Sequence, residues 1–472
     1  MVLNRDSQRS SARVLLFPWL VVFIVLAGAC GRSHRQPPNV LLISLDTLRA
    51  DHVGCYGYER DTTPFLDEFA ASGVRFASAC VNTHSTAPSH STLLSSRYQE
   101  THGVHLDLFA MARHENDPSM LHFPPDLPMV QESMSGAGYR TCAITEGGFV
   151  SIEMGFQRGF DHYDDTSRDI RQGEAKLLEW LRENSGEAPK FVFFHTYQVH
   201  GPYLSPPEYQ EMFGPPGDPP EAGPDPVQTV RRIITEDIFH AERVSPVMLD
   251  YLRNRYDRSL RYTDDTLRDL FSELRAAGFL DNALVVICSD HGEEFGDHGR
   301  LQHSDTLFDE LVHIPLFVAA PDIKGGRVSR RMASTIDITP TILTYCNIDV
   351  PVEFEGSDLL SGDETADAKV FFQRGNFAYG LRTRRWKFVI GPQPRSILPP
   401  HPVSLYDLEA DPGEQHNLAA EMPGNVQLFR REVEHWKKRL QTERAARRPA
   451  HAPQRPASAA QLKRLKSLGY IH

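Results

Sequence analysis

Two continuous apolar runs that each end in an aspartate most constrain the fold of this 472-residue chain. They are Asn39–Asp46 and Ala283–Asp290, and a third apolar run spans Lys190–His195. Such runs suit parallel strands that are covered on both faces. Helical patterns at Leu127–Ala137 and Tyr256–Ala277 lie between them. The alternation predicts an α/β fold with a large central, mostly parallel sheet flanked by helices.

The sequence changes character beyond about residue 365. Short strand signals are followed there by a charged helical pattern at Val426–Arg447. This predicts a main domain over residues 39–365 and a smaller C-terminal α+β subdomain over residues 366–445. A Pro- and Gly-rich stretch, Gly201–Pro226, predicts a long surface loop near the site, and residues 446–472 are predicted to be a flexible tail.

The first thirty residues have the features of an export signal. Three arginines precede the uncharged, mostly apolar run Val14–Ala29, and Cys30 follows it. This predicts a signal peptide over residues 1–30 that ends at a cysteine resembling the lipid-attachment site of bacterial lipoproteins, and a tether over residues 31–38. Ala27 departs from that pattern, which usually has Leu there. Plain secretion and an uncleaved anchor are the alternatives to an exported, membrane-anchored lipoprotein facing the periplasm or the cell exterior.

The formal net charge of −12 argues against a nucleic-acid-binding protein, which would normally carry a basic surface. An acidic protein that binds an anionic ester needs a local source of attraction. A metal ion, or clustered His and Arg side chains, would supply it.

Asp46 and Asp290 are the first candidates for a metal site. Ligands collect beyond the carboxyl ends of the strands in open α/β sheets, and two buried carboxylates are costly unless a cation pairs them. His291 follows Asp290 directly, with His298 and His303 close behind. A mixed set of oxygen and nitrogen ligands favours zinc or manganese, although calcium is also compatible.

Two further clusters carry candidate chemistry. In Thr86-Ala-Pro-Ser-His90 the proline can set the first turn of a helix, so that Thr86 lies at or just before the helix start, where an anion is favoured. A metal-coordinated hydroxyl loses its proton more easily and becomes a usable nucleophile. His195 and His200 follow the third apolar run and can bind metal or donate protons to a leaving oxygen.

These clusters, in this order, resemble the sulfatase family of the alkaline phosphatase superfamily. The matching segments cover residues 39–420 and are, in chain order, Leu45-Asp-Thr-Leu-Arg-Ala-Asp51, Gly54-Cys-Tyr-Gly57, Thr86-Ala-Pro-Ser-His-Ser-Thr-Leu-Leu-Ser95, His200-Gly-Pro-Tyr203, Ser289-Asp-His-Gly-Glu-Glu-Phe-Gly-Asp-His-Gly299, Asp337-Ile-Thr-Pro-Thr341, Leu405-Tyr-Asp-Leu408 and Asp411-Pro-Gly-Glu414. The resemblance implies an alkaline phosphatase-like fold and makes residues 39–365 a sulfatase-type catalytic domain.

Four positions depart from the family pattern. Thr86 stands where sulfatases carry the Cys or Ser that is oxidised to formylglycine, and His90 replaces the Arg four places on. Thr47 replaces a second Asp, and His291 stands where Asn is common. Oxidation of a threonine would give a ketone rather than an aldehyde. The set Asp, Thr, Asp-His instead resembles the sites of lipoteichoic acid synthases and phosphoethanolamine transferases.

That second resemblance implies the site roles. One divalent metal ion would be bound by Asp46, Thr86, Asp290 and His291, and Thr86 would act as the nucleophile. The catalytic set would also include His90 in the arginine position, together with His200 and His303, which would hold the substrate oxygens or a second metal.

The sequence thus predicts a metal-dependent hydrolase of sulfate or phosphate esters, with Thr86 in place of formylglycine. Its substrate would be a sulfated or phosphorylated small molecule, glycan or lipid head group, and membrane contact would come from the N-terminal lipid anchor. The alternatives are a phosphoryl-group transferase acting on envelope glycolipids, a non-catalytic binder of sulfated or phosphorylated glycans, and a structural envelope lipoprotein.

Overall fold

A computed structural model describes residues 36–104, 126–215, 217–237, 240–303, 306–362, 368–391, 402–447 and 458–468. The chain divides into two units, Met1–Pro37 and Pro38–His472, and the second carries all the elements below. Its strands are β1 Asn39–Leu45, β2 Val74–Cys80, β3 Arg140–Ile144, β4 His162–Asp164, β5 Lys190–Thr196, β6 Ala283–Cys288, β7 Glu294–Phe295, β8 Leu301–Gln302, β9 His313–Ile314, β10 Leu316–Ala319, β11 Arg327–Ser334, β12 Val370–Arg374, β13 Ala378–Arg382, β14 Trp386–Ile390 and β15 Val403–Asp407. Its helices are α1 Pro64–Ser72, α2 Thr86–Ser95, α3 Gln99–His102, α4 Val130–Gly136, α5 Ile170–Glu183, α6 Pro226–Glu236, α7 Pro246–Ala276, α8 Asp309–Val312, α9 Ile338–Tyr345, α10 Pro423–Arg447 and α11 Ala459–Ser467.

The central sheet has the order β11-β2-β10-β6-β1-β5-β3-β4, with β9 paired to β2. The three apolar runs of the sequence form its middle, because β1 pairs in parallel with both β5 and β6. Strand β10 is antiparallel to both of its neighbours, so the sheet is mostly, not wholly, parallel. Apolar clusters fill both faces of the sheet. The predicted α/β class and central sheet are confirmed.

The register of the middle strands fixes where the site can form. Ser44 of β1 lies opposite Cys288 of β6, and Leu45 lies opposite Thr196 of β5. All three strands run in the same direction, so the residues that follow them emerge at one edge of the sheet. The carboxyl ends of the strands are therefore brought together there, as expected for an open α/β sheet.

The C-terminal part is built on a second sheet. Strands β12 to β15 form an antiparallel sheet in sequence order, and α10 packs on it. Phe429, Val433 and Trp436 of this helix are buried against Leu381 and Phe388 of the sheet. An α+β arrangement at this end of the chain is thus confirmed, while the predicted boundaries at residues 365 and 445 stay predictions.

Residues 458–468, which lie within the predicted flexible tail over residues 446–472, form helix α11 and its cap. Ser458 caps α11 by accepting a hydrogen bond from the Gln461 backbone amide. Leu465 is buried in the core that also holds Phe149. The Gln461 side-chain amide donates to the Gly148 carbonyl at 2.7 Å. The alanine, arginine and proline content that suggested flexibility is concentrated ahead of this helix, which packs through Leu465.

None of the helices within the described ranges is long and apolar enough to cross a membrane. The predicted signal peptide and Cys30 lie outside the described residues.

Candidate functional site

The loops after β1 and β6 are joined where they leave the sheet. The Ser289 hydroxyl accepts a hydrogen bond from the Leu48 amide at 2.9 Å and lies 2.7 Å from the Leu45 carbonyl. The Asp290 carboxylate accepts from the amides of Thr47 and His291 through Oδ1. These contacts hold Asp46 and Asp290 side by side at the edge of the sheet.

Asp46, Asp290 and His291 form a buried group in which one ligand atom from each residue lies within 4.8 Å of the others. Asp46 Oδ1 and Asp290 Oδ2 are buried and receive no hydrogen bond from any described residue. Burial, and then the charge of Asp290, raise the pKa of Asp46 well above its usual range. Burial alone would raise the pKa of Asp290 too, but His291 and His90 hold it below its usual value. Two buried carboxylate oxygens that receive no hydrogen bond from the described residues, one from each aspartate, are what a divalent cation would satisfy.

The tautomer of His291 suits a metal ligand. Its Nδ1 lies 2.9 Å from the Gly292 carbonyl, which can only accept, so Nδ1 carries the proton. The lone pair is then on Nε2, which lies 3.3 Å from Asp290 Oδ2. A backbone acceptor that orients the ring in this way is typical of metal-binding histidines. The three residues therefore fit a divalent cation.

Thr86 is the first residue of α2, as the sequence predicted for the helix start, and Ser85 is its N-cap. Its Oγ1 lies 3.1 Å from His291 Nε2. Because Nε2 holds the lone pair, the hydroxyl is the donor in this contact. The Thr86 oxygen thus joins the carboxylate group from the helix side, with its proton directed toward His291.

His90 belongs to α2, and its side chain is fully buried where the helix meets β1. Its Nδ1 donates to the Thr86 carbonyl one helical turn back at 2.9 Å, and its Nε2 accepts from the Ser44 hydroxyl at the same distance. Burial lowers the pKa of His90. This ring is therefore neutral and braces the start of α2, with Nδ1 also 3.5 Å from Asp290 Oδ2.

His200 and His303 form the opposite side of the group. Their ring centroids lie 5.1 Å apart, and the His303 ring lies 4.5 Å from that of His291. His200 Nδ1 donates to the Gly201 carbonyl at 2.8 Å. Burial lowers the pKa of His200 to about 3 and that of His303 to about 4. Both rings are thus neutral at neutral pH until a substrate charge approaches them.

Two further residues also contribute: Glu293, to which the sequence analysis gave no role, and His195, which it gave as a candidate metal ligand or proton donor. Glu293 Oε1 lies 3.1 Å from His303 Nδ1, and burial raises the pKa of Glu293 to about 7. His195, considered only as part of the third cluster, contacts Asp46 Oδ2 through Nε2 at 3.2 Å. The position of Glu293 three residues after Asp290 was the available signal, because short loops after strands keep neighbouring residues near the site.

The structure therefore brings six of the predicted site residues around one centre. They are Asp46, Thr86, Asp290, His291, His200 and His303, and His90 supports them from behind. Cys30 is the one predicted site residue outside the described ranges.

Two sequence profiles and several known proteins are similar to this chain. The sequence profile named Sulfatase matches residues 38–348, and the profile named N-sulphoglucosamine sulphohydrolase, C-terminal, matches residues 296–445. The Delta 4,5-hexuronate-2-O-sulfatase of Bacteroides thetaiotaomicron is 24% identical over 437 residues, covering 84% of this chain and 87% of the relative. Human arylsulfatase A is 24% identical over 487 residues, covering 85% and 87%.

A solved structure shares the fold. The phosphonate monoester hydrolase of Agrobacterium radiobacter superposes with a TM-score of 0.67 at 21% identity, covering 85% of this chain and 96% of that one. Since the Sulfatase profile alone spans well over half of the chain, this protein belongs to the sulfatase family, the metal-dependent sulfuric and phosphoric ester hydrolases of the alkaline phosphatase-like superfamily.

Proposed function

We propose that this protein hydrolyses phosphate esters in preference to sulfate esters, with the Thr86 hydroxyl as its nucleophile. The observation that carries the proposal is the position of Thr86 Oγ1, 3.1 Å from His291 Nε2, at the start of a helix and beside two carboxylates. A side chain placed only to cap the helix would accept from backbone amides of the first turn. Here the N-cap is Ser85 instead, and the Thr86 hydroxyl donates to His291 in the site.

Asp46, Thr86, Asp290 and His291 would hold one divalent cation. When bound, the cation would lower the pKa of the Thr86 hydroxyl and stabilise negative charge on the ester oxygens. Two carboxylates balance its charge, and the mixed oxygen and nitrogen donors favour zinc or manganese over calcium. Reconstitution of metal-stripped protein with each of these ions checks the order of preference.

The chain's own residues account for both halves of the reaction. The Thr86 hydroxyl releases its proton to solvent, its oxygen attacks the phosphorus to form a phosphate ester on Thr86, and the bond from phosphorus to the alcohol oxygen breaks. His303, paired with Glu293, can carry a proton on Nε2 for the leaving alcohol oxygen. Water then attacks the phosphorus, the Thr86–phosphate bond breaks, inorganic phosphate is released, and the Thr86 oxygen takes up a proton from that water to restore its hydroxyl. His90 contributes by fixing the first turn of α2.

The preference for phosphate follows from the nucleophile. A formylglycine hydrate releases sulfate by collapsing to its aldehyde, whereas an ester on threonine must be cleaved at phosphorus or sulfur. Phosphoryl groups usually carry more negative charge than sulfuryl groups. A cation and several histidines stabilise that additional charge well. The proposed substrate is a phosphorylated or sulfated sugar, in line with the substrate class named for the Bacteroides thetaiotaomicron relative.

The test compares matched aryl phosphate, phosphodiester and sulfate esters on wild-type protein, Thr86→Ala and Thr86→Ser. We expect Thr86→Ala to abolish turnover, Thr86→Ser to keep part of it, and expression hosts without a formylglycine-generating enzyme to yield active protein. Thr92→Ala is the matched control, because Thr92 is a buried threonine of the same helix whose hydroxyl contacts His102 instead. Wild-type turnover in Thr86→Ala, or a clear preference for sulfate esters, would refute the proposal.

A further inference from the structure

A cavity of about 320 Å³ adjoins the site on the side of His200. Tyr197 and His200 form the wall that it shares with the catalytic group. The Tyr197 ring lies 4.7 Å from that of His195, and the His200 ring lies 5.1 Å from that of His303. His200 therefore borders both the catalytic group and the cavity.

Charged side chains line the far part of the cavity. Three guanidinium groups, from Arg168, Arg231 and Arg464, outnumber the two carboxyl groups, from Glu146 and Asp169. The Asp169 carboxylate is engaged as the N-cap of α5, where it accepts from the Gln172 amide at 2.9 Å. A positive lining is notable in a chain whose net charge is −12. It indicates that the cavity is built for an anion.

Arg231 is directed to this cavity by the packing of α6. Val230, Ile233 and Ile234 of that helix are buried, and the Ile234 side chain packs against Gly201 so closely that a Cβ there would come within 2.7 Å of it. Arg231 Nε is buried without a hydrogen-bond partner, and no carboxylate of the described residues forms an ion pair with Arg231. The Arg231 Nε–H is thus a buried donor that an anionic ligand in the cavity would satisfy.

The C-terminal helix completes the opposite wall. Arg464 of α11 donates through Nε to the Glu146 carbonyl at 2.8 Å and pairs through Nη2 with the Glu146 carboxylate at 3.2 Å. Thr196 also hydrogen-bonds that carboxylate. Glu146 is therefore already engaged and does not neutralise Arg231. Because Leu465 anchors α11 in the core, the position of Arg464 is fixed before any ligand binds.

We propose that this cavity binds a second anionic group on the alcohol portion of the substrate, with Arg231 as the main contact and Arg168 and Arg464 beside it. The inference rests on the proposed function, since it assigns a specificity to the same ester hydrolase. It narrows the substrate class to acidic sugar esters, whose extra charge is a carboxylate or a second phosphate. A planar guanidinium with several donors suits either group.

The test uses three sugar phosphates that differ only in the group expected to reach the cavity: glucose 1-phosphate, glucuronic acid 1-phosphate and glucose 1,6-bisphosphate. Turnover is measured for wild-type protein, Arg231→Gln and Arg232→Gln. Arg232 is the matched control, because it is an exposed arginine of the same helix that does not line the cavity. Both variants lose the same charge, so a general electrostatic effect would appear in both.

For wild-type protein we expect one or both acidic substrates to be preferred over glucose 1-phosphate, and the favoured one identifies the anion. In Arg231→Gln the KM of that acidic substrate should rise about tenfold with little change in kcat, as expected when one charge-assisted hydrogen bond is lost. Glucose 1-phosphate should be unaffected, and Arg232→Gln should behave like wild type. Equal use of all three esters, or equal effects of the two variants, would overturn the inference.

Equilibrium binding of the sugars that lack the 1-phosphate separates this inference from the proposed function. Glucuronic acid and glucose 6-phosphate should bind more tightly than glucose, and Arg231→Gln should remove the difference. If no ester is hydrolysed but this difference is found, the proposed function fails and the anion cavity stands. If esters are hydrolysed but neither kinetics nor binding depends on Arg231, the cavity assignment alone fails.

Discussion

Replacing Asp46 by Asn should have opposite effects on stability in the absence and in the presence of metal. The Asp46 and Asp290 ligand atoms lie within 4.8 Å of each other, with no hydrogen-bond donor on Asp46 Oδ1 or Asp290 Oδ2 among the described residues. Asn has the same shape as Asp and can still accept from His195, which contacts Asp46 Oδ2 at 3.2 Å. The substitution thus removes charge while it keeps the packing.

The distance between the Asp46 and Asp290 ligand atoms gives the size of the expected change in stability. Two unit charges 4.8 Å apart repel by about 3 kcal/mol at an effective dielectric constant of about 20. Proton uptake by Asp46, whose pKa is raised by burial and by Asp290, limits this cost. A raised carboxyl pKa stabilises the fold at low pH, and that contribution is lost as the pH rises through the folded pKa. Metal-free Asp46→Asn should therefore be more stable than metal-free wild type by up to about 3 kcal/mol.

Added metal should reverse the order of stability of wild-type protein and Asp46→Asn. A cation at about a hundred times its Kd stabilises wild-type protein by about 2.7 kcal/mol, while the variant, which lacks one anionic ligand, gains less. For 472 residues the entropy of unfolding is about 1 kcal/mol per kelvin, so each of these energies corresponds to a shift of about 3 °C in Tm. The variant should melt higher without metal, and its advantage should disappear or reverse when metal is added.

Differential scanning calorimetry of chelator-treated and metal-loaded samples measures both shifts. Asp257→Asn is the control, because Asp257 is equally buried but pairs with His52 and Arg60, so its loss should lower Tm with and without metal. The reasoning fails if metal-free Asp46→Asn melts below metal-free wild type, or if metal raises the Tm of both proteins equally.

Three further predictions concern the ends of the chain and its pH response. Cys30→Ser should abolish labelling by palmitate, and an unlabelled, soluble wild-type protein would contradict the predicted lipid anchor. Leu465→Ala should lower the free energy of unfolding by about 2 kcal/mol and raise the KM for acidic sugar phosphates, because Leu465 is 1% exposed and shares α11 with Arg464, whereas exposed Leu462→Ala should do neither. Burial raises the pKa of Asp264 to about 7, so wild-type stability should fall between about pH 4 and about pH 7, and urea titrations should show a smaller fall in Asp264→Asn.

The strands that the sequence predicts are those whose own residues form a continuous apolar run, whichever strands they pair with. β1, β5 and β6 are covered on both faces and are continuous apolar runs, so their position at the middle of the sheet follows from composition. β10 has only four residues, and β11 contains three arginines. Neither sequence pattern distinguishes a strand from a loop. Pairing with β2 makes them strands, which is a tertiary effect.

The residues of the candidate site also fall into those that the sequence predicts and those that it does not. Asp46, Thr86 and Asp290 follow a strand or begin a helix, and topology alone brings such positions to one edge. Arg464 cannot be found by this reasoning. It lies 318 residues from Glu146, the residue with which it pairs, and its helix follows a stretch whose composition indicates flexibility. Long-range pairs of this kind leave no periodic signal in the sequence.

The departures from the family pattern are electrostatically consistent with each other. Thr47 removes one negative charge where the family carries a second Asp, and His90, neutral in its buried position, removes one positive charge where the family carries Arg. The two changes in charge cancel. The net charge around Asp46 and Asp290, where a divalent cation would bind, is therefore the same as in the family pattern. Thr47 keeps a positive φ of 60°, an uncommon conformation for a β-branched residue, while its amide donates to Asp290 Oδ1. Such paired replacement around the ligand group of Asp46, Asp290 and His291 is what the proposed metal site, with Thr86 as the proposed nucleophile, requires.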